Sequence, residues 1–333
     1  MTHDTISGTT EVSERDIHLP AHLFISSKLS NTLSFGFGVT SPFGLSANWE
    51  DSSTVRYVST FSKVVTLELN PNIAYKVNND LSLAVGMNYI QMRATMEKLL
   101  PLPGDPNFRL NGDGTGWGVN AAVKYQSSDA VAVGLSYRSR IKVDLDGTAG
   151  VTGSVNLSNS ANTNITLPDL IQFGVSYKAS DNITLNSDID YTMWSTYDRL
   201  VVTSNTLAVL TGGATDTQTS EKRWKNALCF HIGGQYRMND QWKLRAGYVY
   251  DQDPVPESHF DTAVPDADRQ GITIGVGYSS GKIMVDVAYL YLKFMNRTIT
   301  NSLADDGTPT PNALNGTYRS QAQLAAITVG YAF

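Results

Sequence analysis

The residues able to do chemistry are few, and their spacing does not suit catalysis. The one cysteine, Cys229, has no partner for an internal disulfide and no metal-ligand spacing around it. The five histidines, His3, His18, His22, His231 and His259, form no HExxH. A surface hydrolase would need a serine and a histidine side by side with an orienting acid, whereas His231 shares a face with Cys229 and Gly233, as a hydrogen-bonded interior residue would. The run Asn111-Gly112-Asp113-Gly114-Thr115-Gly116 lacks the Lys-Ser/Thr ending of a phosphate loop and leads into a strand, not a helix. Neither an enzyme nor a resident cofactor or metal is expected. A different chemistry shows in otherwise polar segments, where Leu99, Leu100, Pro101, Leu102, Pro103 and Phe108 form one apolar group and Leu207, Val209 and Leu210 another. Such groups suit capture of a hydrophobic ligand, or simple packing over an opening.

What must position these residues follows from composition and pattern. The chain has 333 residues, 41% hydrophobic and 17% charged, with a formal net charge of -6. This charge is too low for a disordered chain and of the wrong sign for general nucleic-acid binding. No segment reaches the roughly 18 consecutive apolar residues of a membrane-spanning helix. The start, Met1-Thr2-His3-Asp4, lacks the basic and apolar stretches of a secretory signal, so the protein is expected either to stay in the cytoplasm or to be given from a late start.

Period-two alternation runs through segment after segment. Leu81, Leu83, Val85, Met87 and Tyr89 alternate with Ser82, Ala84, Gly86 and Asn88, and Ala325, Ile327, Val329, Tyr331 and Phe333 take one face of the C-terminus. These are strands with one apolar face. Short turn clusters, at Ser30-Asn31, Asn78-Asn79-Asp80, Ser127-Ser128-Asp129, Ser180-Asp181-Asn182, Met238-Asn239-Asp240 and Ser279-Ser280-Gly281, alternate with long polar stretches near 45–60, 98–113, 148–165, 203–222, 252–268 and 301–318. Short turns at one end and long loops at the other describe an all-β, antiparallel transmembrane β-barrel in one domain, 1–333. Tyr75, Tyr125, Tyr177, Tyr236 and Tyr278 precede the short turns, with Tyr331 in the matching place, as an aromatic girdle at the headgroup level would.

The alternation gives about thirteen strands between Ala21 and Phe333. Single-chain bacterial barrels use even numbers, and residues 1–19 read as an extracellular loop remnant, so one strand and whatever preceded it are expected to be missing. A soluble β-sandwich or lectin-like domain would explain the alternation but not stretches as long as Ile183 to Val202 or Ile283 to Thr300, since about ten residues already cross a bilayer. The inward face carries Arg138, Arg140, Lys142, Asp188, Asp190, Arg237, Lys243, Arg245 and Asp286, read as a solvated or mutually paired lumen wall.

These residues resemble the FadL family of outer-membrane transporters for long-chain fatty acids and other hydrophobic compounds. Asp251-Gln252-Asp253-Pro254-Val255-Pro256, followed by Pro265-Asp266-Ala267-Asp268-Arg269, is similar to that family's D-x-S-P-V-P and P-D-x-D-R loop, with a departure at Asp253. Gly116-Trp117-Gly118-Val119-Asn120-Ala121, Tyr137-Arg138-Ser139, Leu167-Pro168-Asp169 and Tyr331-Ala332-Phe333 also match, so the resemblance runs from about Ile6 to Phe333. It implies a fourteen-stranded monomeric barrel in the bacterial outer membrane, whose N-terminal hatch and first strand are absent from this chain. Further expectations are contact with outer-membrane lipid and lipopolysaccharide, and insertion by the barrel-assembly machinery through the strand ending at Phe333. The ligand would be captured between long loops and leave sideways beside an inward kink. Alternatives are uptake of aromatic hydrocarbons and, from another class, a general solute porin.

A fatty acid's carboxylate needs a cation at the end of an apolar pocket. Lys98 resembles the position of a family head-group arginine, and Lys222 and Arg223 lie near a second family cation; Leu99, Leu100 and Phe108 complete the expected ligand site. The kink is also legible directly. The alternating strand Thr32 to Thr40 runs into Ser41-Pro42-Phe43-Gly44, where proline cannot donate to a ladder and glycine permits a bend; otherwise the strand simply ends there. Pro71 lies in the facing strand. Ala122 resembles a small family position opposite the kink, which with Ser41, Pro42, Phe43 and Gly44 makes the expected lateral gate.

Overall fold

The computed structural model describes residues 1–14, 17–153, 156–303 and 314–333. Thirteen strands form one antiparallel sheet: β1 (Leu23–Lys28), β2 (Leu33–Thr40 and Gly44–Asn48), β3 (Phe61–Lys76), β4 (Leu81–Leu99), β5 (Asn107–Gln126), β6 (Val131–Arg138 and Ile141–Thr152), β7 (Leu157–Leu167 and Leu170–Lys178), β8 (Ile183–Thr192 and Arg199–Ser204), β9 (Thr217–Glu221 and Ala227–Arg237), β10 (Trp242–Asp251), β11 (Arg269–Ser280), β12 (Ile283–Phe294) and β13 (Gln321–Tyr331). Five strands are interrupted, which is why the sheet contains eighteen ladder segments. β1 and β13 stand next to each other at the ends of this order, meeting where His22 Nε2 lies 3.2 Å from Thr328 Oγ1. Among the described residues no residue-by-residue register joins them.

The alternation sets which way each side chain points, because a slip of one residue would turn every side chain of a strand to the other face. On β4 Leu83, Val85 and Met87 are exposed, while Asn88, Ile90 and Met92 are buried inside the curved sheet. The exposed apolar face is the lipid-facing one. Tyr75, Tyr125, Tyr177 and Tyr236 are all close to half exposed on that face, and Tyr278 is covered more because Trp242 packs on it at 4.8 Å. At the other edge of the apolar band Tyr89 pairs with Trp117 across the ladder, their rings 4.5 Å apart. Tyr89 lies eight residues along β4 from Leu81, the ladder partner of Tyr125; at about 3.3 Å per residue and a tilt near 40° the two aromatic levels are about 20 Å apart. That is a membrane-spanning height.

The long polar stretches differ from expectation. The described residues of 98–113 and 148–165 are mostly paired strand, broken at 100–106 and again after Thr152; 154 and 155 lie outside the described residues. Beyond the bilayer neither face meets lipid, so the apolar period vanishes while backbone pairing continues. Ile183 to Val202 is not one strand: a short 3-10 turn, Trp194–Thr196, interrupts it. Ile283 to Thr300 also divides, because Arg297–Ile299 joins a second sheet. In that sheet Thr10–Val12, Thr2–Thr5, Gly316–Arg319 and Arg297–Ile299 pair in order. Residues 1–19, expected as loop, therefore supply two of its strands, although 15 and 16 lie outside the described residues, as do 304–313 of the last long stretch. The small sheet packs on Trp49, Val55, Phe260, Ile299, Leu314 and Tyr318, with His3 fully buried and stacked on Tyr318 at 4.3 Å.

Candidate functional site

The long-loop end of the barrel contains a cavity of about 290 Å³, with Phe108, Leu110, Leu200 and Val202 on its apolar side and, on its polar side, Lys98, Lys222 and His259 together with the carboxylates of Glu97, Glu221 and Asp261. Lys98 and Phe108 are direct ladder partners on β4 and β5, so the hairpin brings a cation and an aromatic ring together. Among the described residues Lys98 has no ion-pair partner. Lys222, by contrast, has its Nζ 2.7 Å from Asp261 Oδ2. Burial pushes the Asp261 carboxyl up, but Lys222 and the backbone N–H of Ala263 outweigh this and hold it below the usual range. His259 is held below the ordinary imidazole value by burial and by Arg223, so Lys98, which also helps to hold Asp261 ionised, is the cavity cation without an ion-pair partner among the described residues.

The expected residues separate into those the fold unites and those it does not. Lys98, Phe108 and Lys222 line the cavity. Leu100 packs behind it on the apolar cluster around Phe108, Leu200 and Leu207. Leu99 is buried where its backbone N–H donates to the Arg56 carbonyl, 2.9 Å away, apart from the cavity wall. Arg223 stands outside: its backbone has φ of 46°, and its side chain turns to Glu221, 3.5 Å away. Asp261, Phe260 and His259 also line the cavity. They arrive on the 252–268 loop, and no spacing along the chain relates them to Lys98.

The motif 251–269 fixes that loop. Arg269 holds Asp251 through Nε and Nη2 at 2.9 and 2.5 Å and Asp266 at 2.9 Å. Asp268 accepts from the backbone N–H of Asp253 at 2.8 Å. The departure at Asp253 has a use here: its carboxylate pairs with Arg297, whose Nη2 also donates to the Val255 carbonyl at 2.6 Å. Burial nevertheless pushes the Asp253 carboxyl up to about 6, above the unfolded value near 3.9. The folded loop thus binds this proton more tightly than the unfolded chain, so Asp253 contributes most stability below about pH 4 and loses it as pH rises through about 6. Lowering the pH from about 7 to about 5 is expected to stabilise the loop by about 1 kcal/mol, read as slower amide hydrogen exchange over 252–268; Asp253→Asn should flatten this pH dependence.

Below the cavity the lumen side is apolar, then polar. Ile90, Met92, Ile141, Val143, Leu145 and Leu167 form a buried cluster, with Phe43 and Val64 packed against it. This overturns one expectation: Lys142 faces outward with Asp144, 2.8 Å away and mostly exposed. The break at 139–140 is the reason. Arg138 partners Asn120, whereas Leu145 partners Gly114, so one extra residue on β6 reverses its faces. Arg140, at the break, binds Asp169 at 2.7 Å. Other inward charges pair as a lumen wall, Arg245 with Asp286 at 2.5 Å and His231 with Asp188 at 2.9 Å.

Under the apolar cluster lies Glu68, only 1% exposed. Arg138 Nη1 donates to both its oxygens, at 2.8 and 2.6 Å, Asn88 donates to Oε1, and Thr40 Oγ1 donates at 3.3 Å. Two inward positions further along β3, Asn120 Nδ2 donates to Asn72 Oδ1 at 2.8 Å. Gly86 lies between those strands, and a Cβ there would fall 2.0 Å from Asn72 Oδ1, so only glycine lets the two amides meet.

The segment 41–44 forms a bulge in β2. Thr40 partners Glu68 and Gly44 partners Val65, so three residues face two and the strand's inward set shifts by one. Opposite, the ladder between β3 and β4 skips Asn70 and Pro71, where proline has no N–H to give. Ala122 faces inward, but the ladder aligns it through Ala84 and Ala74 with Ser34, whereas the bulge aligns with Gly114 and Gly116. It is therefore not opposite the kink: the inward positions of β5 advance two residues at a time, and three such steps separate Ala122 from Gly116.

The family model for outer membrane protein transport proteins (OMPP1/FadL/TodX) matches residues 5–333. The long-chain fatty acid transport protein of Escherichia coli strain K12 is 25% identical over 310 residues, 79% of this chain and 68% of its own length. Among solved structures, a Pseudomonas aeruginosa FadL homologue superposes with a TM-score of 0.81 at 21% identity, covering 93% of this chain and 77% of its own. The Ralstonia pickettii toluene transporter TbuX gives 0.74 at 17% identity over 99% and 86%. The family's members are outer-membrane transporters and channels, not enzymes. With its thirteen antiparallel strands, its lipid-facing apolar band and a match along nearly its whole length, the chain belongs to the OMPP1/FadL/TodX family of outer-membrane transporters for hydrophobic compounds.

Proposed function

We propose that this protein takes up long-chain fatty acids by passive, gated diffusion. The ligand is captured in the cavity at the long-loop end and leaves through the wall at the 41–44 bulge. The carrying observation is Lys98, a cation without an ion-pair partner among the described residues, set against the apolar wall of Phe108, Leu200 and Val202. A carboxylate there gains a charge-assisted hydrogen bond while its chain lies on apolar surface. The name of the Escherichia coli relative supports the same substrate class. Lys98→Ala is expected to weaken binding of a long-chain fatty acid about tenfold, the value of one hydrogen bond to a charged group. Toluene, which has no charge, should bind this variant as it binds the wild type. Equal loss for both ligands would remove the head-group role.

Aromatic hydrocarbons are the second reading, favoured by the rings of Phe43, Trp194 and Trp224 inside the barrel and by the toluene transporter's similarity in fold. A general porin fits less well, because an open aqueous lumen is incompatible with the packed cluster around Ile90 and Val143. We also propose that the protein acts as a monomer in contact with lipopolysaccharide and is inserted by the assembly machinery through β13, where Phe333 is 85% exposed.

A further inference from the structure

Three strands lose their ladder and turn aromatic rings into the lumen. In β2 the bulge presents Phe43; in β8 the 3-10 turn presents Trp194; in β9 the gap between Glu221 and Ala227 presents Trp224. Phe43 meets Trp194 edge to face, with centroids 5.8 Å apart and planes at 80°. Trp194 meets Trp224 at 5.1 Å, and Trp224 meets Tyr197 at 4.9 Å and 90°. β2 and β8 are six strands apart along the wall, so a ring contact between them crosses the interior. The two ends of this chain of rings touch different compartments: Tyr197 packs on the cluster around Phe108 and Leu200 beside the cavity, and Phe43 packs on the cluster around Ile90 and Val143 beside the bulge. The Phe43 end is held by its backbone. Thr66 Oγ1 donates to the Phe43 carbonyl at 2.6 Å and accepts from its N–H at 3.0 Å, which satisfies the polar groups that the bulge withdraws from the ladder.

We propose that Phe43, Trp194 and Trp224 form an aromatic gate between the capture cavity and the bulge. The gate rests on the transport reading and gives it a moving part. Edge-to-face contacts hold the rings together, and an apolar or aromatic ligand arriving from the cavity replaces those contacts with its own surface, parting Phe43 from Trp194. A polar solute offers no such replacement, and the gate stays shut against it. Phe43 and Trp194 are thereby specificity-determining residues, and Thr66 is a positioning residue that fixes where Phe43 returns.

The test uses the full chain reconstituted in planar lipid bilayers and, separately, intact cells, with heat-modifiability as the folding control. In bilayers Phe43→Ala and Trp194→Ala are each expected to raise potassium chloride conductance about fivefold, as loss of one aromatic contact implies, while Trp194→Phe, which keeps a ring, stays near wild type. Unchanged conductance in folded Phe43→Ala and Trp194→Ala would overturn the gate. If the alanine variants do not fold, the decision moves to tryptophan fluorescence of the wild type and Trp194→Phe titrated with oleate. A change in the wild type that Trp194→Phe abolishes supports the gate; no change, or the same change in both, rejects it. Conductance needs no transported ligand, so failure of wild-type cells to take up labelled oleate would sink the transport reading without deciding the gate.

Discussion

Deletion of Pro42 is expected to reduce uptake of a labelled long-chain fatty acid by intact cells to near background while the barrel still folds. Between Thr40 and Gly44 three residues of β2 face two of β3. Removing one makes the count equal, so the ladder can run through without a bulge. Phe43 then opposes Thr66 and keeps its inward direction, which spares the apolar cluster. The wall closes at the place where the exit is proposed, because a continuous ladder leaves no room for a ligand to pass between strands. Ala122→Glu is the complementary change. On β5 Ala122 lies one inward position nearer the short-turn end than Asn120, the partner of Arg138, below the polar layer that a ligand leaving sideways never crosses. Sideways exit therefore expects uptake lost on deleting Pro42 and retained in Ala122→Glu; straight passage through the lumen expects the opposite pair of results.

Arg138→Ala should be the most destabilising single change in the lumen. Glu68 is almost wholly buried, and Arg138 supplies its counter-charge through both oxygens. Truncating the arginine strands a buried carboxylate, which costs about 3 to 5 kcal/mol when a buried pair is broken from one side. The lower figure applies because the Arg138 side chain is itself 36% exposed. Adding Glu68→Gln removes the stranded charge, so the double variant should recover most of the loss. Urea unfolding in lipid vesicles measures both. An Arg138→Ala variant as stable as the wild type would show that water reaches Glu68 and that the polar layer is no barrier.

Period-two alternation was enough to read the barrel: the strands, their two faces, the tyrosine level beside the short turns and the number of strands all follow from whether a side chain meets lipid or lumen. That rule holds only where lipid touches one face. In the projecting hairpins of β4 to β7 both faces leave the bilayer, the apolar period disappears, and paired strands look like polar loops. It also fails across a bulge, because one unpaired residue reverses every later side chain. For this reason alternation carried on from Arg138 puts Lys142 inside, whereas Ile141, Val143 and Leu145 are the luminal residues.

The same difference divides the site. Lys98 and Phe108 stand together because a hairpin pairs them locally, and Pro42 with Gly44 announces a break in its own strand. Glu68, by contrast, looks in Leu67-Glu68-Leu69 like any inward polar residue; its burial and its bond to Arg138 depend on strands three apart in the wall. The chain of rings from Phe43 to Trp224 joins segments about 150 and 30 residues apart along the chain. Which faces are greasy and where ladders fail are legible along the chain, since both are properties of single residues and their near neighbours. Which of those failures meet is set by the curvature of the sheet, because contact across a lumen depends on register summed over many strands, and each bulge changes that sum.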